Sequence, residues 1–145
     1  MENERDLTAR ATTDERTQLF KVREALLNLH KELLNVERKR YEQLFGPVAN
    51  EFDFFRLVTS DPSFAWIGPM TTLIVQIDEK VASKEPITAG EVGTLYTETR
   101  SLLASPTETP FKVEYTQLLQ VNPGRVMKHS AVMQALPPPE RPRPD

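Results

Sequence analysis

The sequence predicts an all-α fold, a single-domain helical bundle of five to six helices with a long first helix and a proline-kinked central helix. Apolar residues recur at spacings of three and four through most of the chain, the pattern that lines one side of an α-helix. Helix starters and breakers punctuate that pattern at Gly46-Pro47, Asp61-Pro62, Lys84-Glu85-Pro86, Ser105-Pro106 and Asn122-Pro123-Gly124. Strict alternation never persists, and no Asn-Gly or Asp-Gly turn separates two β-branched runs, so no hairpin is expected.

The first helix is expected from near Asp14 to Phe45, where Gly46-Pro47 stops it. Val22, Leu26, Leu29, Leu33 and Val36 form its apolar stripe, extended by Leu19, Tyr41 and Leu44. At 1.5 Å per residue it spans about 48 Å, long enough for its ends to project beyond a single-chain bundle and invite a partner. A short second helix begins after Asn50, a good N-cap, with Glu51 and Asp53 in the first turn, and ends near Thr59.

A third helix opens with Asp61 as cap and Pro62 at the first helical position, and runs to about Ala82 with a bend between Phe64 and Pro69. Leu73, Ile74, Val75 and Ile77 surround most of its circumference, which makes it the element expected to be most buried. Thr88 and Glu91 form a capping box for a fourth helix carrying Val92, Leu95, Tyr96, Leu102 and Leu103. Thr109-Pro110 starts a fifth, and Asn122-Pro123 caps a last one with Val126, Met127, Val132 and Met133. Residues 1–13 read as a flexible N-terminal segment, 14–136 as the bundle, and 137–145 as a disordered proline-rich tail.

A chain of 145 residues is the length of one domain. It has no cysteine, which removes disulfides, thiolate nucleophiles and Cys-type metal sites. The net charge of −3, with acidic residues in excess over 41–110, offers no attraction to nucleic acid or an anionic membrane. No apolar run approaches the ~20 residues of a membrane helix and no signal-peptide pattern opens the chain, so the expected location is cytoplasmic. Phosphate-binding glycine loops, nucleophile elbows, His-Glu-x-x-His and EF-hand patterns are all missing, so no catalytic residues are assigned and a non-enzyme is expected.

Two features remain as sites. His30 lies on or beside the apolar stripe with Glu37 two turns along, Asp78 takes a similar place in the third helix, and His129 is bracketed by Val126, Val132 and Met133. Such imidazoles and carboxylates either pair inside the core, His30 with Asp78, or hold a divalent metal or small ligand between helices. The Glu-x-x-His pairs of di-iron bundles are not present. The second feature is an aromatic cluster, in which Phe52, Phe55, Phe64 and Trp66, with Phe54, straddle the Asp61-Pro62 corner and form either core, a pocket or an interface. The basic triplet Arg38-Lys39-Arg40 points in three directions on a helix and reads as a solvated face. The proline-rich end has the PxxP spacing of polyproline ligands.

Leu29-His30-Lys31 through Glu37-Arg38 and Tyr41-Glu42, together with Asp61-Pro62-Ser63-Phe64-Ala65-Trp66 through Pro69 and Leu73-Ile74-Val75-Gln76-Ile77-Asp78-Glu79, resemble a family of small uncharacterised helical bacterial proteins. Asn122-Pro123 to His129 is similar to that family's C-terminal part, so the resemblance covers most of residues 20–135. It implies a bacterial, cytoplasmic, helical protein and brings no catalytic residues. The expected function is a non-enzymatic protein-interaction module that self-associates as a homo-oligomer, the alternative being a metal- or ligand-binding bundle using His30, Glu37 and Asp78, with His129 as a further ligand.

Overall fold

Thr12 starts the first helix through a reciprocal cap: its hydroxyl accepts the Glu15 N–H, and the Glu15 carboxylate accepts the Thr12 N–H. From there α1 runs over Thr13–Phe45, 33 residues or about 50 Å, until Gly46 turns the chain at φ +92°. The structure, a computed structural model, describes residues 6–139. Asn50 caps α2 (Glu51–Ser60) by accepting the Asp53 N–H. Asp61 and Pro62 then open a 3₁₀ helix over Pro62–Ile67, and α3 follows at Gly68–Ala82. The bend expected near Phe64 to Pro69 thus takes the form of a change of helix type. Pro69 falls in the first turn of α3, where a missing N–H removes no helical bond.

Thr88 and Glu91 make the expected capping box for α4 (Ala89–Ala104). Thr109 caps α5 (Pro110–Val121) and Asn122 caps α6 (Pro123–Ala135). The chain is an all-α helical bundle, and among the described residues the only extended pairing is the single bridge between Arg10 and Thr88. No described helix is long and apolar enough to cross a membrane.

α1 is the central element. Leu19, Val22, Leu26, Leu29, Leu33 and Glu37 are all buried on it, so the stripe turns inward along nearly its whole length. α6 packs antiparallel along it: Glu32 of α1 accepts from Arg125 near the start of α6 (3.0 Å), and Gln18 donates to the Ala135 carbonyl at its end. The 3₁₀ helix and α3 cover the other side with Phe64, Ile67, Met70, Leu73, Ile74 and Ile77. α3 is therefore not the most buried element, as its composition suggested. Val75 and Val81 face solvent, because one side of α3 satisfies the contact with α1 and α4.

Residues 7–11 of the N-terminal segment pair with the chain that leads into α4. Ala11 donates its N–H to Ile87, and Ala89 and Gly90 donate theirs to Ala9 and Leu7, each at 2.9 Å. Ala11 and Ile87 are buried, so this strap closes the edge of the core. Gly90 permits the approach, since a Cβ there would lie 2.9 Å from the Leu7 carbonyl oxygen. Residues 1–5, and 140–145 of the expected disordered tail, lie outside the described residues.

Candidate functional site

At the C-terminal end of α1 the stripe passes from core to surface. Glu37 continues it four residues after Leu33, where Val36 was expected, and this carboxylate is only 7% exposed. A buried carboxylate needs partners, and Glu37 has two. Trp66 donates its indole N–H to Glu37 Oε1 at 2.8 Å, and Arg40 Nη1 lies 3.5 Å from the same oxygen while also reaching Glu114 on α5 at 3.3 Å. The Trp66 ring packs on Phe111, which stacks on Tyr115, so the pair ties α1, the 3₁₀ helix and α5 together.

Arg38, one step around the helix, fixes α2. Its guanidinium lies 4.6 Å from the centre of the Phe54 ring, and its Nη1 meets Glu51 at 3.2 Å. Glu42, a turn later, is 3.8 Å from the same guanidinium and accepts the Val48 N–H at 2.8 Å, holding the loop between the helices. Lys39 is exposed. The basic triplet does diverge, but two of its three charges are structural ties and only Lys39 is a freely solvated face.

The aromatic residues of the corner separate into two sets. Phe64 is 2% exposed and contacts Phe54 edge-on and Tyr41 at a tilt, while Trp66 is half-buried on Glu37 and Phe111. These two belong to the interior. Phe52 and Phe55 remain 69% and 64% exposed, because α2 uses Phe54, Leu57 and Val58 to pack on its neighbours. Leu44 and Phe45 at the end of α1 are exposed as well. Phe45 keeps one face on Tyr41 and lines a groove of about 440 Å³ whose other wall includes Asp53, Arg56 and Leu57 of α2. The corner therefore presents large apolar side chains beside Glu51, Asp53 and Arg56, charges of both signs.

His30, Glu37, Asp78 and His129 are not brought together. His30 Nε2 is hydrogen-bonded to Thr71 Oγ1 at 2.8 Å between α1 and α3, and burial lowers its pKa below the ordinary 6.5. Asp78 is exposed and pairs with Arg23. The expected His30–Asp78 pair is replaced for a geometric reason: Ile74 and Ile77 take the inward positions of α3, which turns Asp78 to the rim. His129 Nδ1 and Tyr115 Oη are hydrogen-bonded at 2.7 Å across α5 and α6. Burial, then the nearby Lys112 charge, lowers the His129 pKa, and burial raises that of Tyr115 well above its ordinary range. Among the described residues, no three histidine or acidic side chains converge as a metal ion requires.

Sequence reasoning placed Glu37 and Trp66 in separate sites and passed over Thr71 and Tyr115. The signal for Tyr115 was its polar tip on a buried helix face, which demands a partner. No protein-family model, curated protein or solved structure matches the chain, and its own geometry is what speaks for its function.

Proposed function

We propose that this protein is a non-enzymatic interaction module that self-associates through the corner formed by the end of α1 and by α2. The observation that supports it is the exposure of Leu44 and Phe45 in the last turn of α1 and of Phe52 and Phe55 on α2, the helix that follows it, while comparable side chains fill the core. The long first helix remains the origin of the interface, through its last turn, since its earlier stripe is used internally. The occupant is a second copy of this chain. Asp53 and Arg56 line the groove beside Phe45, and a two-fold related copy that uses this groove can set each charge against its opposite. Rim charges of this kind set orientation, and the phenylalanines supply the burial.

Native mass spectrometry of the untagged chain over a range of concentrations tests this, alongside the double variant Phe52→Ser, Phe55→Ser. The expected result is a concentration-dependent dimer of bare polypeptide that the double variant loses while keeping its melting temperature. A bare monomer at every concentration overturns it. A stoichiometric excess mass, lost in His30→Ala, replaces it with the ligand-binding bundle.

A further inference from the structure

α6 is held to the bundle differently from the other helices around the core. α1, α3, α4 and α5 each bury three or more side chains, whereas Val132 is the one buried residue of α6, with Leu136 just past its end. Its remaining attachment is polar. Glu32 of α1 accepts from Arg125 and Lys128, Arg125 also donates to the Leu118 carbonyl of α5 at 3.2 Å, Gln18 donates to the Ala135 carbonyl, and His129 meets Tyr115. An element with little apolar burial, tied mainly by hydrogen bonds at the rim, lies at the low end of local stability.

The surface beneath α6 is apolar. Gln18 and Glu32 mark the side of α1 that faces it, and helical spacing puts Val22, Ala25 and Leu29 on the line between them. Val22 and Leu29 are fully buried.

Of the polar ties, His129 to Tyr115 is the one whose chemistry changes near neutral pH. Tyr115 has no exposed surface, and its hydroxyl has no other hydrogen-bond partner among the described residues, so it donates to Nδ1 of the neutral imidazole. A proton on Nδ1 turns that acceptor into a donor and leaves the tyrosine proton without one. The imidazolium also meets charge of its own sign. On α5, Lys112 stands one turn before Tyr115 with its ammonium fixed on the Leu103 carbonyl at 2.7 Å. On α6, Arg125 and Lys128 flank His129, and the acidic group of α1 beside this stretch, Glu32, is already shared between those two cations. Three cations against one carboxylate disfavour a further positive charge while α6 is docked.

We infer that α6 is a releasable cover: protonation of His129 breaks its tie to Tyr115 and frees α6 from α1 and α5, baring Val22, Ala25 and Leu29 of the first helix. Solvated in the open form, the imidazole accepts a proton without these penalties, so a falling pH favours release. The device acts between residues 18 and 32 of α1, well before the last turn that carries Leu44 and Phe45, and stands independently of self-association there.

Amide hydrogen exchange of the full chain, read residue by residue by NMR as protection factors at pH 7 and pH 5, tests this. The α6 amides are expected to be less protected than those of α4 at both values, and to lose protection at pH 5 by up to about 25-fold. That ceiling is set by linkage for one imidazole with the ordinary value of 6.5 in the open form. In His129→Asn, which keeps an acceptor and does not titrate, α6 protection is expected to be the same at both values. Tyr115→Phe is expected to lower α6 protection already at pH 7 and to shrink the further loss at pH 5, and His30→Asn to leave the α6 response as it was. Amides of α6 that exchange only together with those of α4 overturn the proposal, since the helix then leaves by global unfolding alone. A response that persists unchanged in His129→Asn or Tyr115→Phe, or that disappears in His30→Asn, overturns it as well.

Discussion

Trp66 donates its indole N–H to the Glu37 carboxylate at 2.8 Å, joining the 3₁₀ helix to the most deeply placed charge of α1. Removing the acceptor strands a half-buried donor, so Glu37→Ala is expected to destabilise the protein by ~1–3 kcal/mol. Glu37→Gln retains an oxygen at that point and is expected to cost less. Trp66 is the only tryptophan, so its fluorescence during urea unfolding reports both the stability and the local change. Equal stability of Glu37→Ala and the unsubstituted chain refutes the pairing as a stabilising contact.

Phe64, Phe52 and Phe55, three of the aromatic residues near the Asp61-Pro62 corner, are expected to respond to substitution in two groups. Phe64→Ala opens a cavity in the core and is expected to cost ~3–5 kcal/mol. Phe52→Ser and Phe55→Ser remove exposed rings and are expected to lie within ~0.5 kcal/mol of the parent at concentrations where the chain is monomeric. Thermal or chemical denaturation of the three variants decides this, and a large loss at Phe52 contradicts the exposed placement.

Two glycines of α4 three residues apart are expected to give opposite signs. Gly90→Ala forces a Cβ to within 2.9 Å of the Leu7 carbonyl and is expected to loosen the N-terminal strap, at ~1–3 kcal/mol for an overpacked contact. Gly93→Ala meets no atom within 4 Å and is expected to stabilise the helix by ~0.5–1 kcal/mol. Hydrogen exchange of the Ala11 and Gly90 amides locates the effect: faster exchange belongs to the first variant alone.

Stability is expected to fall as the pH drops below 6.5. Burial depresses the pKa of His30 and, with help from Lys112, that of His129. In the unfolded chain both imidazoles take up protons near their ordinary value, so between that pH and the lower folded values the unfolded state binds more protons and gains. Above 6.5 both states are neutral and the term vanishes. Glu32 acts in a lower window: Arg125 and Lys128 hold its carboxyl below the ordinary 4.5, and this contribution is lost as the pH falls through the folded value. Urea midpoints at a series of pH values, repeated with His30→Asn and His129→Asn, test this, and an unchanged slope between pH 7 and 5 in the double variant refutes the histidine assignment.

Tyr115→Phe isolates the α5–α6 hydrogen bond from packing. The ring stays on Phe111, and the expected cost is ~1 kcal/mol, the net value of one hydrogen bond to a half-buried imidazole. The His129 pKa, followed by NMR titration, is expected to move in the variant. No change in either quantity rejects the contact.

Helix beginnings were legible because a cap is a local event. Asn50 with Asp53, Asp61 with Ser63, Thr88 with Glu91, Thr109 with Lys112 and Asn122 with Gly124 are satisfied within one turn, so the residues that make the bond are neighbours in the sequence. The same holds for most of the core face of α1, whose stripe is a consequence of 3.6 residues per turn. Thr12 and Glu15 carry the same signal, and they start the helix at Thr13, one residue before the expected Asp14.

Partners distant in sequence were decided by tertiary structure. His30 could meet Thr71 or Asp78 as far as helical spacing is concerned, and only the rotation of α3 about its axis, set by which of its apolar residues face α1, selects Thr71. Glu37 and Trp66 read as members of different sites until the 3₁₀ helix crosses α1. The strap from Leu7 to Ala11 carries no periodicity at all, since its backbone groups bond to residues 87–90 and its side chains need no pattern. Periodicity and capping are properties of one helix in isolation. Which donor meets which acceptor, and which aromatic rings stay outside, depends on how helices rotate and cross when their apolar faces compete for one core.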